Sequence, residues 1–144
     1  MSSAVDGPAL VELSRDECLA LLAEHHVGRL AVSGTGEAPL VVPVNYLLDA
    51  DVVVFRSATG SKLAAVRGSP VSFQLDQIDP VHHTGWSVLL RGRAYEATRW
   101  ETDHLDLETW VPGDKGHWVR IVPDSITGRL IQLPDQFVDL GGYI

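Results

Sequence analysis

The chain has 144 residues, 45% of them hydrophobic and 21% charged, with a net charge of −8 and a pI of about 5.0. That length suits one domain with a core of its own, and the acidic balance argues against a nucleic-acid partner or an anionic membrane surface. A single cysteine, Cys18, excludes a disulfide framework and a cysteine-based metal site.

The opening residues, MSSAVDGPAL, lack the charged n-region and apolar run of a secretion signal. No apolar stretch approaches membrane-spanning length, so a cytoplasmic protein is expected. Residues 1–11 read as an N-terminal arm. At Ser14 the run SRDE has the form of a capping box, with Ser14 as N-cap and Glu17 reaching back to its amide. The helix that follows has Leu19, Leu22 and Ala23 as its apolar face and fades near His25 and His26. Cys18, inside it, reads as a packed thiol.

VGRLAVS (27–33) alternates and is rich in β-branched residues, which predicts a first strand. A Gly34/Gly36 turn leads to a second strand, APLVVPVNYLL (38–48), apolar on both faces. A barrel interior and a partner subunit could cover those faces, or a flat ligand could cover part of one. Pro43 within it has no N–H to donate and predicts an edge, a bulge or a local break in the ladder. DAD (49–51) turns the chain into a third strand beginning at Val52.

VVVFRSATGSKLAAVRG (52–68) is the most informative stretch. It reads as a strand, a Ser/Thr/Gly turn and a short helix led by Ser61 and Lys62. Hydroxyls and free backbone N–H groups converge where that helix begins, an arrangement that favours an anion. Lys62 in a first turn is opposed by the helix dipole unless an anion is bound, and Arg56 flanks the same place. The plainer reading is a βα turn capped by Ser61, with two solvated cations.

SPVSFQLDQI (69–78) alternates as a fourth strand, DPVHHTG (79–85) is a loop, and WSVLLRGRAYEAT (86–98) is a long fifth strand with a bend or bulge at Gly92. RWETDHLDLETW (99–110) has Trp100, Leu107 and Trp110 at roughly helical spacing. Its acidic residues Glu101, Asp103, Asp106 and Glu108 are spaced like a solvated face. HWVRIVPDSI (117–126) predicts a sixth strand ending at Pro123, and residues 127–144 a tail that packs on the surface or on a partner. Six short strands with few helices between them fit a small antiparallel barrel and do not fit a doubly wound parallel sheet. The fold class is therefore mainly β with helices, in one domain over residues 1–144.

No nucleophile motif is present: GxSxG, HExxH, GxGxxG and the complete Walker pattern are all missing. His82 and His83 are neighbours in extended chain and point apart, so no metal is expected there. Trp86, after a glycine at a strand start, can stack on a planar ligand, although its default role is core or interface packing. Chemistry, if any, then belongs to a bound cofactor.

Taken in order, VGRLAVSGTGEAPLVVPVNYLL, VVVFRSATGSKLAAV, PVSFQLDQID and GWSVLLRGRAYE resemble the pyridoxamine-5′-phosphate oxidase-like, FMN-binding split-barrel family. The likeness is to its small bacterial branch, with nitroimidazole reductase-like relatives, and spans about residues 14–98. The resemblance implies a six-stranded antiparallel split β-barrel and a homodimer with FMN at the subunit interface. It also implies a flavin-dependent oxidoreductase acting on a small-molecule substrate. By position, Arg56, Ser57, Ser61 and Lys62 correspond to the group that holds the FMN phosphate. Val42, Pro43, Val44 and Asn45 correspond to the strand edge beside the ring, and Gln74 to a polar contact. Trp86 and Ser87 correspond to a segment that reaches the flavin from the second subunit. The segment DSITGRLIQLPDQF does not match the basic, tryptophan-containing C-terminal signature of true pyridoxamine phosphate oxidases. Relatives of this branch also include F420-dependent reductases and haem binders. Haem would need an axial ligand from His25, His26, His82, His83, His104 or His117, and none has a telling context. A flavin or haem carrier without turnover is the alternative function.

Overall fold

The structure is a computed structural model and describes residues 8–33, 36–57, 68–107, 110 and 116–133. Nine elements follow one another: β1 (Ala9–Leu13), α1 (Arg15–Glu24), β2 (Val27–Val32), β3 (Leu40–Asp49), β4 (Val52–Ser57), β5 (Ser69–Asp79), β6 (Thr84–Glu96), α2 (Arg99–Thr102) and β7 (His117–Gln132). All strand pairings are antiparallel. The order β7-β4-β3-β2-β5-β6 closes on itself because β6 also pairs with β7, and β1 is added outside the ring. The result is the expected six-stranded barrel.

Alternation explains the core. Along β6, Trp86, Val88 and Leu90 are buried while Leu89 and Arg91 are exposed. The register shift between Arg91 and Gly92 is the expected bulge, and beyond it Gly92 and Ala94 face inward. A β-carbon on Gly92 would meet the Val122 carbonyl oxygen at 2.1 Å, so the bulge requires glycine. Tyr46, Phe55, Phe73, Leu30 and Ile121 fill the interior from other strands. Tyr46 and Phe73 meet edge to face, ring centroids 4.9 Å apart.

α1 adds Cys18, Leu21 and Leu22 to that core. Its capping box is formed as expected: the Ser14 hydroxyl accepts from Glu17 N–H at 3.1 Å, and Glu17 Oε1 accepts from Ser14 N–H at 2.8 Å. The buried stripe runs through Cys18, Leu21 and Leu22, with Leu19 packed at its margin, whereas Ala23 is exposed. The expected face was thus rotated by about one position. Burial disfavours the thiolate and pushes the Cys18 thiol up, as a packed thiol requires.

Three expectations need correction. Residues 9–11 of the supposed arm, with Glu12 and Leu13, form β1, paired with residues 128–132, because β7 does not end at Pro123 but runs on to Gln132, 16 residues in all. Pro123 is tolerated since it lies opposite the Gly92 bulge, between the last β4 partner (Ile121) and the first β1 partner (Gly128). No ladder bond is lost there. The first six residues of the supposed tail, 127–132, are accordingly ladder residues of the sheet. Finally, the described residues of the amphipathic run 99–110 contain only a four-residue helix. Trp100 and Trp110 are 88% and 71% exposed, and of the three apolar residues expected to share a face Leu107 alone is buried. Glu101 is not part of a solvated face: it caps Thr98 and pairs with Arg120, covering the outside of β4 and β7.

Candidate functional site at the fork between β3 and β4

The barrel wall parts at one place. β3 pairs with β4 only from Tyr46 to Asp49, opposite Phe55 to Val52. Beyond that point Leu40–Asn45 keep β2 on one side and have no ladder partner on the other among the described residues. β4 meanwhile continues through Arg56 and Ser57, paired with Trp118 and His117 of β7. A fork opens at Asn45 and Arg56. Pro43 lies on its free edge, where a missing N–H is tolerated, as expected from the sequence.

The fork brings Val42, Pro43, Val44 and Asn45 together with Arg56 and Ser57. Val42 and Val44 lie on the Tyr46 face and pack against the core. Pro43 and Asn45 lie on the outer face, and Val41 there is 58% exposed. Strand alternation puts Arg56 and Ser57 on opposite faces: Ser57 is buried on the Phe55 side, and the Arg56 guanidinium stands 5.2 Å from the Trp118 ring centroid. That stacking holds a permanent positive charge at the fork in a defined place. Ser61 and Lys62 lie outside the described residues.

Gln74 is on the same outward face, one strand beyond β2. The register aligns Pro43, Arg29 and Gln74 in a row. Arg29 Nη1 donates to Gln74 Oε1 at 3.2 Å, Gln74 Nε2 donates to Asp76 Oδ2 at 2.8 Å, and Arg29 lies 3.6 Å from that carboxylate. Arg29 was not singled out in the sequence. Its alternating position in VGRLAVS was visible, but its neighbour Gln74 is 45 residues away. Trp118 and Trp110 were missed as site residues for the same reason. Trp110 N–H donates to Asn45 Oδ1 at 3.0 Å, across 65 residues.

Trp86 and Ser87 sit elsewhere in the wall. The Trp86 indole is 2% exposed inside its own barrel, 5.0 Å from the His25 ring at a 48° tilt, while Ser87 faces outward. Trp86 Nε1 and His25 Nε2 are both buried without a hydrogen-bond partner among the described residues. Burial disfavours the imidazolium and lowers the His25 pKa, with Glu24 opposing and His26 reinforcing the effect. Away from the fork, His82 Nδ1 and the Asp79 carboxylate are 2.6 Å apart, and this hydrogen bond holds Asp79 below the usual carboxylate range. A cavity of about 470 Å³, bordered by Ser33, Ser72, Arg91 and Asp124 among others, contains none of the expected site residues. No described helix is long and apolar enough to cross a membrane.

Known proteins place this geometry in context. An uncharacterized protein of Mycobacterium tuberculosis, Rv0080, is 35% identical over 129 residues, covering 83% of this chain and 84% of its own. The solved structure of the FAD binding protein from Mycobacterium smegmatis superposes with a TM-score of 0.71 at 33% identity, covering 85% of this chain and all of the other. A FAD-binding protein from Mesorhizobium loti superposes with a TM-score of 0.67 at 26% identity, over 88% of this chain and 99% of the other. The pyridoxamine 5′-phosphate oxidase family itself matches residues 14–130. That match runs from the cap of α1 to Leu130 in β7 and takes in all six strands of the barrel, and the chain accordingly belongs to this family.

Proposed function

We propose that the chain binds a flavin at the fork between β3 and β4 and serves as a flavin-dependent oxidoreductase for a small-molecule substrate. The observation that carries this reading is the unpaired edge Leu40–Asn45 facing a positioned arginine. An open strand edge presents backbone N–H and C=O groups that a heterocycle with donors and acceptors can use. Pro43, on its outer face, gives a flat ring an apolar surface to lie against, with Val42 and Val44 half-buried on the inner side of the same edge. Arg56 and Ser57, with Ser61 and Lys62 from the Ser/Thr/Gly segment, are the proposed phosphate ligands, and Gln74 supplies a polar contact from the neighbouring row. Family membership and similarity to FAD-binding proteins support a flavin, and FMN is the proposed form.

A bound flavin supplies hydride and electron transfer, and the protein supplies binding, orientation and electrostatics. A homodimer fits the same reading. Val27, Val41 and Leu89 are exposed on the outward face that carries Pro43 and Gln74, a surface for a second copy whose Ser87 segment would complete the site.

The test is the visible absorption spectrum and mass of whatever co-purifies with the full chain, followed by FMN titration of stripped protein. Lys62→Ala is expected to weaken FMN retention by about 1.5–3 kcal/mol, the range for a charge-assisted bond. Unchanged retention refutes the phosphate assignment. Flavin that binds but is never reoxidised by quinones, nitro compounds or oxygen after reduction by a nicotinamide donor refutes turnover and leaves a flavin carrier.

A further inference from the structure

We infer that Trp110 is a ligand-contact residue of the fork, an aromatic platform for a planar heterocyclic ring, and that Asn45 acts by positioning it. The inference rests on the flavin site proposed above and names two side-chain roles within it.

Asn45 lies at the point where β3 loses β4 as a partner, one residue before the Tyr46–Phe55 pair. Its amide oxygen is taken by the Trp110 N–H at 3.0 Å, a bond that joins the β6–β7 connection to the free edge of β3. The backbone of Trp110 is thereby pinned at the fork. Its indole nevertheless remains 71% exposed. Trp86, by contrast, is 2% exposed and enclosed by its own chain, so it offers no free ring face within the protomer. An exposed indole whose backbone is held at an open strand edge is suited to take a flat, electron-poor ring against its face. The Asn45 amide oxygen is engaged by Trp110, so anchoring that residue is the part assigned to Asn45.

The experiment uses the full chain stripped of bound small molecules, with FMN and FAD as separate probes followed by flavin fluorescence. Trp110→Ala is expected to weaken both by about tenfold, the size of one lost stacking contact. Trp110→Phe is expected to stay within about threefold of wild type, since a ring remains. Asn45→Ala is expected to fall between them. The melting temperature of flavin-free Trp110→Ala should stay within about 2 °C of wild type, because an exposed side chain adds little to folding. Trp110→Ala binding both flavins within twofold of wild type overturns the inference and leaves the flavin site standing. So does a variant that changes the oligomeric state with flavin affinity intact, which would make Trp110 a subunit contact. Wild-type protein that binds neither flavin overturns the flavin reading itself and this inference with it.

Discussion

Tyr46→Phe removes one oxygen atom from the place where α1 is tied to the barrel. The Tyr46 hydroxyl donates to the Leu22 carbonyl at 2.6 Å, and Tyr46 is fully buried, which also pushes its phenol well above the ordinary range. Leu22 lies in the last turn of α1, whose carbonyls have no partner within the helix. The substitution leaves that oxygen unpaired in a dry environment, at about 1–3 kcal/mol, offset in part because the phenyl ring is easier to bury than the phenol. A net loss of about 1–2 kcal/mol follows. Unfolding entropy near the midpoint is about 2.1 cal/mol/K per residue. For 144 residues each kcal/mol therefore corresponds to about 3 °C. The expected fall in melting temperature of flavin-free protein is about 3–7 °C, read by differential scanning calorimetry. The ring stays in place against Phe73, so cavity formation does not contribute. Denaturant titration should show a lower midpoint with an unchanged slope. A shift below about 1 °C refutes the claim that this hydroxyl closes the end of α1.

Gly28→Ala places a β-carbon 2.1 Å from Phe73 Cζ, deep in a core where Phe73 is fully buried, and should destabilise by about 1–3 kcal/mol or more. Pairing it with Phe73→Leu should recover part of that loss in a double-mutant cycle, and strictly additive effects would show that the two sites do not touch. His25 is predicted to make stability depend on pH. Its folded pKa lies below the ordinary 6.5, so the unfolded chain takes up the proton first and stability falls as pH drops below about 6.5 toward the folded value. Urea midpoints between pH 5 and 8 should therefore decline less on the acid side for His25→Phe than for wild type, and parallel curves would refute the assignment.

Sequence alone was enough for whatever depends on near neighbours. The capping box at Ser14, the alternation of β2 and β5, a bend or bulge at Gly92 and an edge, bulge or break at Pro43 all follow from side-chain period, capping chemistry and the missing proline N–H. The six barrel strands could be counted in chain order for the same reason. Trp100 and Trp110 show the limit of periodicity: their helical spacing was real, yet both indoles are exposed, and the helix stops at Thr102. β1 and the length of β7 were hidden because their partners are remote in sequence: Val11 and Leu130 meet across 119 residues, and the far end of β7 also needs β6. Tertiary structure decided where the wall opens, that Arg56 rests on Trp118, that Gln74 meets Arg29, and that Asn45 holds Trp110. Those contacts depend on strand order and register, and a shift of one residue would turn every side chain to the other face. Local chemistry names the strands, and only their long-range pairing brings a strand edge, a cation and an aromatic ring to one place.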